Sequence, residues 1–421
     1  MNHSPTAHVC TGGDREDFMG KLTVAVFFGS RTVEHDVSIV TALQWMDNAN
    51  RDKYDLVPVY IDREGRWFTG ERLRDIAFYR AFDPAAVTQV TLDPTFGSRA
   101  LYPVKTSLFG GRKPAALIDV AVPSVHGMNG EDGTLQGLLE LCDIPYTSPG
   151  VLGSALGMDK IAMKVAFRGA GLPLLPFAWL ERRAWEQHRE EELTRIEGEL
   201  GYPVYVKPAN LGSSIGINRA DDRAGLADAL DVAFHYDRRA VVEQGLTDCL
   251  EVNCSALGFE GDVRASLCEQ PVSWKEFLTF DQKYLRGGKA GGAKGGAKGA
   301  TGAKGGGMEN MQRMIPAPIG DEMTAEVQRL TIEAFRLLDC RGVVRVDYLV
   351  NRADNSLYVN EINTVPGSFA FYLWEPTGLP YAQLIDALID QALAAHREKG
   401  RNSFAFESGL LQKFQRGGAK G

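Results

Sequence analysis

The sequence predicts an α/β protein with more than one domain, because strand patterns that end in glycine-rich loops are followed by helical patterns. Leu22 to Phe28 reads as a strand, and after a glycine loop the segment Ile39 to Met46 has helical periodicity. A second such unit runs from the predicted strand Ala115 to Pro123 into the helical pattern Thr134 to Leu141. With 421 residues and 44% hydrophobic content, the chain can form two or three cores.

Composition and charge narrow the class of protein. A net charge of −8 provides no broad basic field, so nucleic acid is not an expected partner. The six cysteines show no CxxC spacing, which argues against a zinc site or a disulfide framework. No leader pattern opens the chain and no apolar run reaches the ~18 residues of a spanning helix, so a cytoplasmic protein is expected. Residues 1–20 are polar and aperiodic, and we expect either a disordered extension or, since Met19 stands just before the first strand, an upstream start.

Oxygen-bearing side chains lie on a predicted hairpin near the end of the chain. Val343 to Val350 and Leu357 to Ile362 read as its two strands, which brings Asp347 close to Glu361 and Asn363. Two ionised carboxylates in apolar strands would repel each other and lose hydration unless a cation compensated them. Such hard ligands suit Mg²⁺ held with nucleotide phosphates, whereas a solvated strand edge is the alternative for a lone aspartate.

A small-residue loop in the middle of the chain has the features of a phosphate site. Tyr202 to Val206 reads as a strand that ends in Lys207, and the loop Asn210 to Gly216 follows it. Backbone amides of such a loop can close over phosphates, and Lys160 opens the preceding helix. The spacing is neither that of a Walker A loop nor that of GxGxxG. We interpret the two lysines and the loop as a polyphosphate clamp, with a solvated strand-end lysine as the alternative for Lys207.

Two further signals are weaker. Val241 to Leu246 reads as a strand that leads into an adenine-contacting linker, and Glu251 is placed to accept hydrogen bonds from ribose hydroxyls. His126 follows the second predicted strand, beside glycines, so it is a candidate ligand-binding residue. A surface or core imidazole is the alternative for His126.

Together these motifs resemble D-alanine:D-alanine ligases of the ATP-grasp superfamily, from Leu22 to about Arg397. The motifs that carry the resemblance are Glu34 to Ser38, His126-Gly127, Gly130 to Gly137, Met158 to Lys160, Val206 to Pro208, Gly212 to Ser214, Lys283-Tyr284, Arg345 to Asp347 and Asn360 to Asn363. The resemblance implies an α/β (α+β) ATP-grasp fold in three domains: an N-terminal α/β domain at 21–150, a central lid at 151–246 and a C-terminal catalytic domain at 247–400.

The resemblance also implies a reaction. ATP would phosphorylate the carboxylate of one D-amino acid, and the amine of a second would attack the acyl phosphate, most simply to give D-alanyl-D-alanine for peptidoglycan. Carried over by position, the residues that hold the first amino acid would be Glu34, Ser213, Tyr284 and His126. The phosphate ligands would be Lys160, Lys207 and Lys283, and the adenine and ribose contacts would be Glu243, Leu246 and Glu251. The ligands of two Mg²⁺ or Mn²⁺ ions would be Asp347, Glu361 and Asn363. Arg345 and the N–H of Gly367 would stabilise the oxyanion.

The chain departs from the family pattern after Gly367. Tyr372-Leu373 stands where the family usually has a serine followed by leucine. A bulky phenol would reshape the subsite for the second amino acid, so Tyr372 and Leu373 are candidate substrate-binding residues. An aromatic turn of the core is the alternative. The identity of the second substrate therefore stays open.

A run of Gly, Ala and Lys at 286–307 is the second departure. It lacks apolar residues that could pack, so a flexible spacer is expected. The tail at 401–421 ends in a similar run, Arg416 to Gly421, and the alternative is that loop and tail bind a polyanion or help to close the site. The resemblance makes a homodimer the expected oligomer.

Three functions therefore remain for the chain. The first is the D-alanine ligase. The second is the same chemistry with another acceptor, such as D-serine, D-lactate or a different amine. The third is a non-catalytic nucleotide-binding homologue, against which the intact set of Glu34, Arg345, Asp347, Glu361 and Asn363 argues.

Overall fold

The computed structural model describes residues 20–105, 113–271 and 313–406. Within them the strands are β1 (Leu22–Gly29), β2 (Tyr54–Ile61), β3 (Trp67–Thr69), β4 (Thr88–Leu92), β5 (Ala100–Pro103), β6 (Ala116–Leu117), β7 (Val120–Pro123), β8 (Phe177–Glu181), β9 (Val204–Pro208), β10 (Asn218–Ala220), β11 (Arg239–Gln244), β12 (Cys249–Phe259), β13 (Asp262–Ala265), β14 (Gln270–Pro271), β15 (Arg313–Met314), β16 (Gly342–Asn351) and β17 (Leu357–Asn363). The helices are α1 (His35–Asn48), α2 (Thr134–Leu141), α3 (Val151–Met158), α4 (Lys160–Gly169), α5 (Arg182–Gln187), α6 (Arg189–Leu200), α7 (Arg223–Tyr236), α8 (Asp321–Leu337), α9 (Phe371–Trp374) and α10 (Tyr381–Lys399). Short 3₁₀ turns lie at Glu71–Arg74, Ile76–Ala81, Pro84–Ala86 and Gly367–Ala370.

The first sheet contains seven strands in the order β6-β5-β4-β3-β2-β1-β7, with β1 parallel to both β2 and β7. The predicted strand Ala115 to Pro123 is in fact two strands, β6 and β7. Asp119 lies between them, and its carboxylate accepts a hydrogen bond from the Thr23 backbone N–H at 2.8 Å. The first predicted helix is confirmed, but it begins earlier, at His35. Glu34 is therefore its N-cap residue.

The second sheet is antiparallel, with the order β10-β9-β11-β8. Its core lies on the side of helices α6 and α7, where Ile196 and Leu226 pack with Val206 and Val242. The next residue after Val206 is Lys207, and strand alternation turns its side chain to the opposite face. On that face Lys207 contacts Glu243 and the Asn360 side chain of β17.

The third sheet is also antiparallel, with the order β13-β12-β16-β17. The predicted hairpin is confirmed, because Asp347 pairs with Glu361 in its register. Helices α3 and α4 lie in the stretch that we assigned to the central lid, yet Met163 and Phe167 of α4 belong to the hydrophobic core under the third sheet, with Val344. The domain boundaries themselves stay a prediction.

The first sheet and the end of the chain share one hydrophobic core. Phe28 and Trp45 of the first sheet and its helix α1 pack in the same cluster as Trp374 and Leu384. At the rim of this cluster, Asp386 of α10 accepts a hydrogen bond from the Tyr54 hydroxyl at 2.7 Å. This shared core holds the loops that follow β1 and β7 against the segment that follows β17.

Two negative findings apply to residues 20–105, 113–271 and 313–406 alone. The cysteines of these residues are free thiols, and all but Cys249 are buried. No helix among them combines the length and the apolar character that crossing a bilayer requires.

Replacing Asp222 with alanine tests the N-cap of helix α7, which packs on the second sheet. Its carboxylate accepts from the Gly225 N–H at 2.8 Å and so caps helix α7. We expect Asp222→Ala to lower the free energy of unfolding by about 1 kcal/mol, as measured by urea denaturation. The neighbouring Asp221, which pairs with Arg219 on the surface, is the control, and an equal loss in Asp221→Ala would contradict the cap.

Candidate functional site

A cavity lies where loops of the first and second sheets face the third sheet. Its lining is strongly polar, and it includes most of the predicted site residues that the structure describes. The lining residues are Glu34, His126, Glu131, Gly212, Ser213, Glu251, Asn253, Glu269, Pro271, Arg313, Arg345, Glu361, Asn363, Val365, Gly367 and Tyr372.

Glu34 occupies a tight cradle at one side of the cavity. Its side chain is buried, and the Ser213 hydroxyl donates a hydrogen bond to its Oε1 atom. A Cβ atom on either Gly127 or Gly212 would lie 2.6 Å from Glu34 Oε2, closer than real contacts allow. Both positions therefore need glycine, and two loops distant in sequence enclose one carboxylate.

His126 supports this region from behind. Its Nδ1 atom lies 2.9 Å from the Val365 carbonyl oxygen, and Nε2 lies 2.8 Å from the Thr41 hydroxyl. Burial lowers the pKa of His126 to about 4, so the imidazole is neutral at pH 7. Because both ring nitrogens already contact the protein, His126 joins helix α1 to the segment after β17.

Glu131 makes a parallel connection that our sequence prediction did not assign to the site. Its two oxygens accept hydrogen bonds from the backbone N–H groups of Gly127, at 2.7 Å, and Val365, at 2.8 Å. Burial and the charge of Glu34 raise the pKa of Glu131 to about 8, against the effect of those two donors.

A buried carboxylate flanked by two ammonium groups lies between the second and third sheets. Glu243 Oε2 is 3.0 Å from Lys207 Nζ, and its Oε1 is 3.3 Å from Lys164 Nζ. Burial acts to raise the pKa of Glu243, but the two lysines hold it below its usual range. Glu243 is one of our predicted adenine and ribose contacts, and in the structure its carboxylate pairs with the two lysines.

Lys164 is a residue that sequence reasoning missed. Its side chain is 1% exposed, and burial lowers its pKa although Glu243 is beside it. Lys164 follows Lys160 by four residues on helix α4, so the two lysines share a helix face. That spacing was the available signal.

Lys160 joins three parts of the fold. Its Nζ atom lies 3.4 Å from Glu361 Oε2 on β17 and donates to the Leu211 carbonyl oxygen at 2.8 Å, in the small-residue loop. Lys207 also donates to the Asn360 side-chain oxygen at 3.0 Å. The predicted clamp lysines therefore converge on the hairpin that carries Glu361.

Arg345 and Asp347 form a bidentate ion pair on β16. Arg345 Nε lies 2.6 Å from Asp347 Oδ1, and Nη2 lies 2.8 Å from Oδ2. The Asp347 carboxylate also accepts from the Asn363 amide at 3.0 Å. Despite burial, Asp347 raises the pKa of Arg345 well above its usual value.

The predicted metal ligands come together as expected. Asp347 and Glu361 are opposite each other in the hairpin, and Asn363 contacts Asp347. Two carboxylates and an amide provide hard oxygen donors, which fit a divalent cation such as Mg²⁺. In the described ranges, no three His, Cys, Asp or Glu side chains lie together as possible metal ligands. The set formed by Asp347, Glu361 and Asn363 has two carboxylates and one amide.

The adjacent side chains of Tyr372 and Leu373 have different surroundings in the structure. The Tyr372 hydroxyl accepts from Arg345 Nη1 at 3.1 Å and lines the cavity. The Leu373 side chain is fully buried in the hydrophobic core and is not among the lining residues of the cavity, so its role as a substrate contact stays a prediction. Adjacent residues of helix α9 must point in different directions, and the core takes the leucine.

Gly367 and Glu251 line the cavity, whereas Leu246 does not. Gly367 lines the cavity at the start of a turn in which Ser368, Phe369 and Ala370 have φ values of 52° to 54°. Glu251 lines the cavity, whereas Leu246 lies in the linker after β11 and is not among its lining residues. Lys283, Tyr284, the 286–307 run and Arg416 to Gly421 lie outside the described residues.

Comparison with known sequences decides the family. The chain matches the family model described as D-ala D-ala ligase N-terminus over residues 23–149. It matches the D-ala D-ala ligase C-terminus over residues 166–294 and 302–390. The chain belongs to this family. The family uses ATP and a divalent metal ion, and its members are ADP-forming ligases.

Individual members of the family cover the chain almost completely. The D-alanine–D-alanine ligase of Bacillus cytotoxicus is 39% identical over 386 residues, which is 90% of this chain and 98% of the relative. The ligase of the same name from Heliobacterium modesticaldum is 39% identical over 390 residues, 91% of this chain and 98% of the relative.

Solved structures confirm the ATP-grasp fold of the α/β class. The D-alanine-D-alanine ligase from Coxiella burnetii is similar with a TM-score of 0.72 and 28% identity, over 90% of this chain and 98% of that one. The VanG D-Ala:D-Ser ligase from Enterococcus faecalis is similar with a TM-score of 0.71 and 26% identity, over 89% of this chain and 100% of that one.

Replacing Lys164 with methionine tests the buried charge cluster of this family member. The variant leaves Glu243 with one ammonium instead of two, and breaking a buried pair is costly. We expect Lys164→Met to lower the free energy of unfolding by about 3 kcal/mol in urea denaturation. The surface pair Lys53–Asp386, at 2.7 Å, supplies the control, because Lys53→Met should cost about 0.5 kcal/mol. Equal losses of unfolding free energy in the two variants would show that burial does not make the Lys164–Glu243 pair more important for stability than a surface pair.

The neutral, buried imidazole of His126 gives a pH dependence. Its pKa is lowered in the folded state, so its burial contributes fully above about pH 6.5. As the pH falls from there toward 4, the unfolded chain binds a proton that the folded chain does not. We expect wild type to lose about 1.4 kcal/mol per pH unit relative to His126→Asn over this range. Urea denaturation of both proteins at several pH values measures the difference, and a pH-independent difference would contradict it.

Proposed function

We propose that the chain is an ATP-dependent ligase that joins two D-amino acids through an acyl phosphate, with D-alanyl-D-alanine for peptidoglycan as its product. The observation that carries the proposal is a cavity whose lining brings Glu34 and Ser213 together with Arg345, Glu361 and Asn363, where Asp347 pairs with Arg345. Membership of the ligase family supports the same reaction.

The donor amino acid binds beside Glu34 in this proposal. A buried carboxylate next to a hydroxyl suits an ammonium group, because the ion pair offsets the cost of burying both charges. Ser213 donates to Glu34 and so orients it. The donor carboxylate then points toward Arg345 and the hairpin, where phosphorylation takes place. Tyr284 is assigned to the same subsite from the family resemblance.

The phosphates of ATP are bound by the lysine ammonium groups. Lys160 and Lys207 lie at the hairpin that carries Glu361, and Lys283 is added from the family resemblance. Two Mg²⁺ ions, held by Asp347, Glu361 and Asn363, would screen negative charge during phosphoryl transfer. Glu243, Leu246 and Glu251 remain our proposed contacts to adenine and ribose.

The oxyanion of the tetrahedral intermediate is stabilised by Arg345 and the Gly367 N–H. Both residues line the cavity. Arg345 is held in one orientation by Asp347 and Tyr372. A donor that is fixed before charge develops needs little reorganisation in the transition state, which is the source of its catalytic effect.

Phosphate release from ATP with Mg²⁺ and D-alanine, together with mass spectrometry of the products, tests the function. Wild type should form D-alanyl-D-alanine. Glu34→Gln removes the charge that binds the donor ammonium, so kcat/KM for D-alanine should fall by about 100-fold. Glu64→Gln, at an exposed glutamate that pairs with Arg66, is the matched control and should be unchanged. Phosphate release without dipeptide, or an active Glu34→Gln, would falsify the assignment.

A second candidate is the same chemistry with a different acceptor. It is favoured by Tyr372, a bulky residue where the family usually has serine, in contact with the catalytic arginine. D-serine, D-lactate and other amines in the same assay separate the two candidates. If none of the acceptors stimulates phosphate release, a non-catalytic nucleotide-binding homologue is the remaining function.

We further propose, from the family resemblance, that the protein is a cytoplasmic homodimer. The alternative role of the 286–307 run and the tail in binding a polyanion remains a separate hypothesis. Deleting residues 288–306 without an effect on KM values or on partner binding would remove it.

A further inference from the structure

The residues directly after Gly367 form a left-handed turn. Ser368, Phe369 and Ala370 have φ values of 52° to 54° and ψ values of 25° to 28°, and all three are buried. Successive residues that carry a Cβ atom rarely adopt this conformation, because the Cβ atom approaches the following carbonyl oxygen. Such a backbone persists only where its surroundings hold it in place. The contacts that hold this turn therefore also set the position of Gly367.

Helix α1 supplies two of these contacts. The Thr41 hydroxyl accepts a hydrogen bond from the Ser368 backbone N–H at 3.3 Å. The Ser368 hydroxyl donates to Gln44 Oε1 at 2.6 Å. Thr41 and Gln44 are three residues apart on the helix, so their side chains lie on the same face. Neither residue belongs to the segments that carry the family resemblance, and sequence reasoning missed both.

The Thr41 hydroxyl also contacts His126, and the direction of each hydrogen bond follows from the chemistry of the groups. The Val365 carbonyl oxygen can only accept, so the His126 Nδ1 atom at 2.9 Å carries the proton. Burial lowers the pKa of His126 to about 4, so the imidazole is neutral at pH 7 and its Nε2 atom is an acceptor. The Thr41 hydroxyl therefore donates to Nε2 at 2.8 Å, while its oxygen accepts from Ser368.

These hydrogen bonds form a continuous chain around Gly367. The chain begins at the Ser368 N–H, passes through Thr41 and His126, and ends at the Val365 carbonyl oxygen. Its two ends lie on either side of Gly367 in the sequence, so it fixes the backbone both before and after that residue. The Gly367 N–H, which we assign to the oxyanion, is consequently held by contacts within the protein. A donor fixed in this way stabilises developing charge with little reorganisation.

Packing supports the same region independently of the hydroxyl. Phe369 and Ala370 belong to the hydrophobic core that includes Trp45 of helix α1. Glu131 accepts a hydrogen bond from the Val365 N–H at 2.8 Å. These contacts would remain after loss of the Thr41 hydroxyl. We therefore expect such a variant to keep the turn while its Gly367 N–H is held less firmly.

We propose that Thr41 is a positioning residue for the Gly367 N–H, and that it speeds the attack of the acceptor amine by acting through the backbone. The inference rests on the proposed function, since it concerns the oxyanion of that reaction. In the second step the amine forms a C–N bond with the acyl carbon, and the C–O bond to phosphate then breaks, so that phosphate and the amine proton leave. The first step instead develops charge on the transferred phosphoryl group. Loss of the hydroxyl should therefore slow the second step.

Quenched-flow measurement of ADP and dipeptide tests this division between the two steps. Wild type and Thr41→Val, in which a methyl group replaces the hydroxyl, are mixed with ATP, Mg²⁺ and D-alanine. The readout is the ratio of the first-turnover rate of ADP formation to the steady-state rate of D-alanyl-D-alanine formation. We expect Thr41→Val to lower kcat about 10- to 100-fold. Because the first turnover of ADP should be unchanged, the ratio should rise by the same factor. A merely structural role would slow both rates alike.

A second buried threonine provides the matched control. The Thr331 hydroxyl contacts the Val327 carbonyl oxygen and the Tyr348 hydroxyl, each at 2.7 Å. Val327 and Tyr348 belong to the core under the third sheet, which is separate from the core that contains the turn. Thr331→Val removes a similar pair of contacts there, so its ratio should stay that of wild type.

Two further variants test the hydrogen bonds of helix α1. Thr41→Ser keeps the hydroxyl and should restore the wild-type ratio. Gln44→Met removes the acceptor of the Ser368 hydroxyl, and the loss of one hydrogen bond should raise the ratio about fivefold. Gln44→Met also provides the test if Thr41→Val does not fold.

The possible outcomes separate the inference from the proposed function. Wild type that forms no D-alanyl-D-alanine contradicts the proposed ligase itself. Active wild type with an unchanged ratio in Thr41→Val and Gln44→Met overturns the role of Thr41 alone, and so does an equal rise in Thr331→Val. A raised ratio in Thr41→Val that Thr41→Ser restores, with Thr331→Val unchanged, supports the positioning role.

Discussion

The bidentate pair between Arg345 and Asp347 is the interaction on which the site depends. Asp347 is buried and the Arg345 side chain is 12% exposed on a central strand of the third sheet, where either charge alone would be costly. The pair also fixes the side chains that contact it. Asp347 orients the Asn363 amide, and Arg345 holds the Tyr372 hydroxyl. The proposed metal ligands and the proposed oxyanion donor are therefore parts of one network.

Glu34, at the start of helix α1, is held in the site by packing between regions distant in the sequence. Trp45 and Trp374 belong to one core, so the loops of the first sheet rest on the segment after β17. Within that frame, His126 contacts Val365 and the glycine loops enclose Glu34. Catalysis requires substrate groups to be held within a fraction of an ångström. A rigid shared core provides that precision across regions distant in the sequence.

The lysines proposed to bind the phosphates of ATP are paired with carboxylates of the protein. Cations that bind polyphosphate would repel one another in a buried cleft if nothing compensated them. The protein supplies internal counterions, since Glu243 lies between Lys164 and Lys207, and Glu361 faces Lys160. A bound polyphosphate would take over part of this compensation. The same carboxylates therefore compensate the buried lysines of the fold, and under the proposed function they would also set how strongly phosphates bind.

The sequence by itself determined the α/β class, the hairpin with Asp347 and Glu361, and the glycine loops, since each depends on local periodicity or a short motif. Only the tertiary structure decided that helix α4 packs under the third sheet, that Leu373 faces the core, that Lys164 pairs with Glu243, and that Arg313 lines the cavity. These outcomes depend on which surfaces meet over long sequence separations. Local patterns contain no information about that choice, because packing and charge compensation are settled only when the sheets come together.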